Sequence, residues 1–333
     1  MAKKYKNGLV LGKLLPPTLG HLFLVDSALT YCDKVYVMVC STKKDAIRGH
    51  LRHQWVTEVY LDNPNVEVIH FENDSPQYPH ECESVDVFYK KYWVPHVYSC
   101  IKELDVIFTS EDYGYEFASY LGTDHILVDI KREMFPVSGT EVRLNPYKMW
   151  DLMSYPAQRY YMKKIAVVGP ESTGKSTLTE KLAKYFACDF VDEYGRRYTD
   201  KVGTRNLTIR DFELIGMGHA RNIRNAKLNQ TLIVDTEAIT TKVWADMYIG
   251  TSQSEILDDL IVNQYFDLFL LMDVDVPWVD DGTREFPHER ENHFNRLKEE
   301  LKSRNLPYVV INGDYGERLR KSIKEVINLG YLY

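Results

Sequence analysis

A chain of 333 residues, 44% hydrophobic and 27% charged, has material for two ordinary domains, each with its own core. Its net charge of −7 argues against a general nucleic-acid binder, and no run approaches the roughly 20 apolar residues that span a bilayer. Five cysteines without a CxxC pair, and an N-terminus without a small-residue cleavage site, point to reduced thiols in a soluble, cytoplasmic protein; a homo-oligomer is allowed.

In chain order, the apolar run Gly8 to Leu11 predicts a strand that enters a Gly/Pro-rich turn, with a helix from about Gly20. Further buried strands are predicted over 35–39, 66–70, 106–109 and 125–128. Tyr155-Pro156 then breaks the pattern, and a boundary near 155–162 divides the chain into domains 1–158 and 159–333. Ile165 to Val168 begins the second half with another strand, turn and helix, the helix starting near Lys175. Strands follow at Phe190-Val191, 232–234, 268–272 and 308–311, with helical patterns over 208–225 and 289–303. Strands alternating with helices predict an α/β protein with two parallel-sheet domains.

The strongest motif is Gly169-Pro170-Glu171-Ser172-Thr173-Gly174-Lys175-Ser176, followed by Thr177, which fits G-x-x-x-x-G-K-[ST] in full. Such a loop wraps a phosphate in backbone N–H groups at a helix N-terminus. Lys175 would reach the β- and γ-phosphates of ATP, and the Ser176 hydroxyl would ligate Mg²⁺. Asp235 ends the strand 232–234, where a Mg²⁺-holding carboxylate belongs. Asp192 or Glu193, after the strand Phe190-Val191, is positioned to accept a substrate hydroxyl proton, and Arg284 and Arg290 fall in a charged stretch suited to closing over the phosphates.

Two weaker motifs lie in the first half. Gly12-Lys13-Leu-Leu-Pro-Pro-Thr18-Leu-Gly20-His21 follows the first strand, and Ser138-Gly-Thr140-Glu-Val-Arg143 reads as a helix start with a capping box. The first resembles the (H/T)-x-G-H signature of the nucleotidyltransferase superfamily, and the second its S-x-T-x-x-R signature. That resemblance implies an ATP site in which His21 stabilises phosphate charge and Gly20 lets the backbone approach closely. Lys13 and Arg143 add cations, and Ser138 and Thr140 add hydroxyls at a helix N-terminus.

The second half resembles the ribosylnicotinamide kinase domain of the bifunctional NadR proteins. The phosphate loop, Glu193-Tyr194-Gly-Arg196, Val234-Asp-Thr236 with Ile239-Thr-Thr241, and Trp278-Val-Asp280-Asp281-Gly-Thr-Arg284 carry the likeness. It implies a P-loop kinase that transfers phosphate from ATP to nicotinamide riboside. Tyr194 and Trp278 would sandwich the cationic ring, with Asp280 and Asp281 on the ribose and Glu193 and Arg196 lining the substrate site. The first half, as a Rossmann-like nucleotidyltransferase domain, would join nicotinamide mononucleotide to AMP, giving NAD⁺ and pyrophosphate. The segment from Asn73 to Trp93 is its expected nicotinamide-side loop, with Tyr78, Phe88 and Trp93 as stacking candidates. Thr18 stands where NadR proteins usually carry histidine, which leaves open an impaired or differently specific adenylyltransferase half. Some relatives carry an N-terminal helix-turn-helix that regulates transcription. A first strand beginning by Leu9 leaves no room for one, so binding to nucleic acid is not expected.

Overall fold

The computed structural model describes residues 3–204, 206–250, 253–279 and 288–330. The chain separates into two compact units, Met1–Tyr161 and Met162–Tyr333. In the first, strands β1 (Tyr5–Gly12), β2 (Cys32–Ser41), β3 (Val66–Glu72), β4 (Val106–Thr109) and β5 (Asp124–Leu127) pair in the order β3-β2-β1-β4-β5. In the second, β6 (Lys163–Val168), β7 (Asp189–Val191), β8 (Thr231–Asp235), β9 (Leu268–Met272) and β10 (Tyr308–Ile311) pair in the order β10-β9-β6-β8-β7. Every pairing is parallel. A parallel sheet covered by helices buries both faces of its strands, which is why the strands read as unbroken apolar runs. All five residues of Leu268–Met272 and all five of Thr231–Asp235 are buried.

Helices of the first unit are α1 (Leu19–Tyr31), α2 (Gly49–Val59), α3 (Val94–Cys100), α4 (Tyr113–Leu121), α5 (Gly139–Leu144) and α6 (Tyr155–Tyr161). The second unit has α7 (Lys175–Tyr185), α8 (Tyr194–Val202), α9 (Ile209–Arg224), α10 (Ala238–Ile249), α11 (Glu255–Asn263), α12 (Arg290–Ser303) and α13 (Tyr315–Ile327). The break expected at Tyr155-Pro156 is the start of α6, because proline is tolerated in a helix's first turn. The expected division after residue 158 therefore falls inside a helix.

Each unit places its first strand, β1 or β6, at the centre of the sheet, and the next strands leave to either side. At such a reversal of strand order the loop at the strand's carboxyl end faces an open crevice. The Gly12–His21 motif and the Gly169–Ser176 loop both sit at that point. Among the described residues no helix is long and apolar enough to cross a membrane. The five cysteines are unpaired, with Cys32 and Cys40 buried.

Candidate functional sites

In the first unit a cavity of about 570 Å³ opens at the carboxyl end of β1. It is lined by Gly12, Lys13, Thr18, Gly20 and His21 from one motif and by Ser138, Thr140 and Arg143 from the other. Thr18 is the N-cap of α1 and is buried. Its backbone N–H donates to His21 Nδ1 at 3.0 Å, its Oγ1 lies 2.8 Å from the same nitrogen, and Oγ1 accepts from the His21 N–H at 3.4 Å. A ring nitrogen that accepts a backbone N–H carries no proton, so the proton of the neutral ring is on Nε2. Burial and the charge of Arg132 lower the His21 pKa to about 4. The threonine hydroxyl thus fixes the imidazole and its tautomer, a different task from contacting phosphate.

The second motif is tied to the first. Ser138 caps α5 in a capping box with Glu141, and Arg143 donates to the Leu15 carbonyl and, at 3.0 Å, to Thr140 Oγ1. Behind the cavity, Arg52 is fully buried. It donates to the carbonyls of Lys13, Cys40 (3.3 Å) and Ile47 (3.0 Å) and pairs with Asp45 at 2.5 Å. Asp45 also meets Lys13 Nζ at 3.4 Å, so one carboxylate orders both cations. Tyr78, Phe88 and Trp93 all line the cavity. Phe88 and Trp93 are buried, the latter donating to the Pro76 carbonyl at 3.1 Å, whereas Tyr78 is 55% exposed. Arg132, which also lines the cavity, escaped sequence reading because it stands alone between motifs.

In the second unit the phosphate loop joins β6 to α7. Gly169 has φ 147° and Gly174 φ 83°, both in the region that favours glycine. A Cβ at Gly169 would also stand 2.9 Å from the Met272 carbonyl oxygen. Thr173 Oγ1 and Lys175 Nζ both donate to the Pro170 carbonyl, at 2.8 and 2.9 Å. Arg318 on α13, fully buried, donates to the carbonyls of Thr173 (2.8 Å), Gly313 (2.8 Å) and Asp273 (3.2 Å) and to the Asp275 carboxylate. One guanidinium thereby joins the phosphate loop to the loops after β9 and β10.

A cavity of about 300 Å³ adjoins this loop, near the lower end of small-molecule sites, which run from about 300 to 1,000 Å³. Glu171, Ser172, Gly174, Lys175, Ser176, Thr177, Glu193 and Arg196 line it. Asp192 does not; its carboxylate pairs with Arg197. Asp235 lies behind, 2% exposed, with a side-chain hydrogen bond to Ser176. Burial first, then the Glu193 charge, raises its pKa. Its Oδ1 is buried without a hydrogen-bond partner among the described residues. A buried carboxylate oxygen without a hydrogen-bond donor, beside a serine hydroxyl, offers the kind of oxygen ligands a hard divalent cation takes.

The two ring candidates lie outside the cavity lining. Tyr194 packs over Gly218 of α9, whose added Cβ would strike the ring, and joins the cluster of Phe212, Ile215 and Leu257. Trp278 lies under the Arg290 guanidinium, 5.8 Å from its ring centre. Arg290 in turn donates to the carbonyls of Val276 (3.0 Å) and Ser172 (3.4 Å), while Val279 N–H donates to Ser172 Oγ at 2.7 Å. This strand of chain braces the phosphate loop. Asp280, Asp281 and Arg284 lie outside the described residues. The aromatic lining comes instead from Phe212 of α9 and from Trp244 and Tyr248 of α10. The spacing Thr240, Thr241, Trp244, Tyr248 is one face of a helix that starts three residues after Asp235, and that period was available in the sequence.

Compared with known proteins, residues 164–318 match the family model described as an AAA domain. Over 97% of its length the chain is 28% identical to the trifunctional NAD biosynthesis/regulator protein NadR of Escherichia coli (strain K12), covering 83% of that protein. It is 27% identical, at the same coverage, to the NadR of Salmonella typhimurium. Over 45% of its length it is 30% identical to the phosphopantetheine adenylyltransferase of Streptococcus suis, covering 89% of it. Its fold matches the crystal structures of a NadR protein in complex with NR (TM-score 0.80, 23% identity) and in complex with NAD and AMP-PNP (TM-score 0.78, 21% identity), covering 100% of this chain and 99% of each. Two unlike units, each with a motif loop at the centre of its sheet, and sequence similarity running through both, lead to one conclusion: over nearly its whole length the chain is similar to the NadR proteins.

Proposed function

We propose that this chain makes NAD⁺ in two ATP-consuming steps, one per unit. The observation that carries this reading is the pairing of two separate phosphate loops, each at the carboxyl end of a central strand, with two separate aromatic-walled cavities.

In the second unit, the 5′-hydroxyl of nicotinamide riboside gives its proton to Glu193 as its oxygen attacks the γ-phosphorus of ATP, and ADP leaves. Glu193 rather than Asp192 suits the task, because it lines the cavity while Asp192 is held by Arg197. Lys175 and the loop's N–H groups hold the phosphates, and Trp244 and Tyr248 offer aromatic faces to the pyridinium. Mg²⁺ bound by Ser176 and Asp235 would neutralise phosphate charge. In the first unit, a phosphate oxygen of nicotinamide mononucleotide attacks the α-phosphorus of a second ATP, and pyrophosphate leaves. Here the protein positions and neutralises: His21 donates from Nε2, and Lys13 and Arg143 supply charge. The capped Thr18–His21 pair supports a working site despite the missing first histidine.

The test supplies purified protein with Mg·ATP and either nicotinamide riboside or nicotinamide mononucleotide. We expect ADP and mononucleotide from the first and NAD⁺ with pyrophosphate from the second. Lys175→Ala should abolish only the first reaction, at least a hundredfold, and His21→Ala only the second. Absence of NAD⁺ from the wild type would restrict the chain to the kinase step.

A further inference from the structure

Helix α9 turns one stripe toward the second unit's cavity: Phe212, Ile215 and His219. Seven residues of helix separate the first from the last, a rise of about 10 Å. The stripe therefore runs from the aromatic end of the cavity, near Trp244 and Tyr248, to the end that holds Glu193 and Thr236. His219 is its one polar member and is 3% exposed.

Both ring nitrogens of His219 bear on its use. Nε2 lies 3.1 Å from the Thr236 carbonyl, which can only accept, so Nε2 carries the proton. Thr236 has φ 67° and directly follows Asp235, so this bond holds a strained turn beside the phosphate loop. Nδ1 is then a bare acceptor. It is sealed from bulk water and has no hydrogen-bond partner among the described residues. An unpaired buried acceptor is costly, and in a ligand cavity it marks a place for a donor that the protein does not supply. Burial lowers the His219 pKa, against the pull of the Thr236 bond and the charges of Glu193 and Asp192. The ring stays neutral, and Nδ1 stays an acceptor.

Resting on the reading of this cavity as the nucleoside site, we infer that His219 Nδ1 accepts a hydrogen bond from a sugar hydroxyl of the bound nucleoside and so selects ribose over deoxyribose. The position along the stripe assigns the contact. With the base against Phe212, Trp244 and Tyr248 and the reacting hydroxyl near Glu193, the sugar lies beside His219. A site built to receive a hydroxyl rejects the analogue that lacks it, because its own buried polar atom is left unpaired.

Two substitutions separate the two nitrogens. In His219→Gln the amide N–H₂ reproduces the Nε2 donor to Thr236 and leaves nothing at Nδ1. In His219→Asn a polar atom remains near Nδ1 and the Thr236 bond is lost. Phosphorylation kinetics are measured with nicotinamide riboside and its 2′-deoxy and 3′-deoxy analogues, and with adenosine and 2′-deoxyadenosine as a second matched pair. Wild type should favour the ribose form by about tenfold or more in kcat/KM over at least one deoxy analogue. His219→Gln should erase that ratio by raising KM for the ribose form alone, and His219→Asn should keep it at reduced stability. A wild-type ratio near one, or a parallel loss on both sugars in His219→Gln, overturns the inference. Should nicotinamide riboside prove inert while the adenosine pair is discriminated through His219, the proposed substrate fails and the sugar contact stands.

Discussion

At the scale of single residues, burial governs what the ionisable groups can do. His293 of α12 is 1% exposed, its ring meets Trp244 edge-on at 4.3 Å, and Nε2 has no partner among the described residues. Burial, then Lys175 and Arg296, lower its pKa from 6.5 to about 3. The unfolded chain therefore binds this proton first as pH falls, and stability is lost from about pH 6.5 down to about pH 3. Between pH 7 and pH 5 the loss from this one residue should be about 2 kcal/mol. Urea denaturation should show that much less pH dependence in His293→Gln than in wild type. Residue scale is also where the sequence said least. Asp192 and Glu193 are neighbours of equal chemistry, and only the backbone's direction after β7 sends one to the cavity and the other to Arg197. Tyr194 and Trp278 looked like ring contacts because they sit in family motifs, yet a motif does not say which way a side chain leaves the backbone.

At the scale of elements, the motifs work because of how a strand hands over to a helix. Thr18 closes the first turn of α1 and at the same moment orients His21. Thr18→Ala should cost about 1 kcal/mol of stability, as lost N-caps do. It should also reduce NAD⁺ formation by a larger factor than the riboside reaction, because the imidazole loses its anchor; Thr18→Ser should restore both. Denaturation curves and the two product assays read these effects separately. Elements were also the easiest scale to read. β4, β9 and β10 lie where their apolar runs place them, and the capping box at Ser138 forms as its spacing requires. β1 and β2 extend several residues beyond their apolar cores, because pairing along a parallel sheet continues through part-exposed residues such as Tyr5 and Lys34. The Trp244–Tyr248 face of α10 was hidden for the opposite reason: apolar residues at helical spacing look alike whether they meet a core or a ligand.

At the scale of the whole molecule, the two units use unlike sheets and unlike cavities, so their chemistries should separate. Lys175→Ala and His21→Ala proteins, each unable to turn nicotinamide riboside into NAD⁺ alone, should do so when mixed, with free mononucleotide passing between them. Chromatographic detection of NAD⁺ in the mixture checks this. Failure of the mixture, with each single step intact, would mean that the intermediate does not leave the chain that made it.

The Arg318 guanidinium has a further consequence, in time rather than in space. It bonds to Thr173, 145 residues earlier, and α13 is the last helix among the described residues. A ribosome that has made the phosphate loop must therefore translate nearly half the chain again before that loop is locked. Arg52, by contrast, reaches back only 39 residues to Lys13, although Arg143 must also arrive to hold Leu15. The nascent first unit should become competent for nucleotide while the second is still being translated, and a chain released before residue 318 should carry a phosphate loop braced by Val279 and Arg290 but lacking the tie to the loops after β9 and β10.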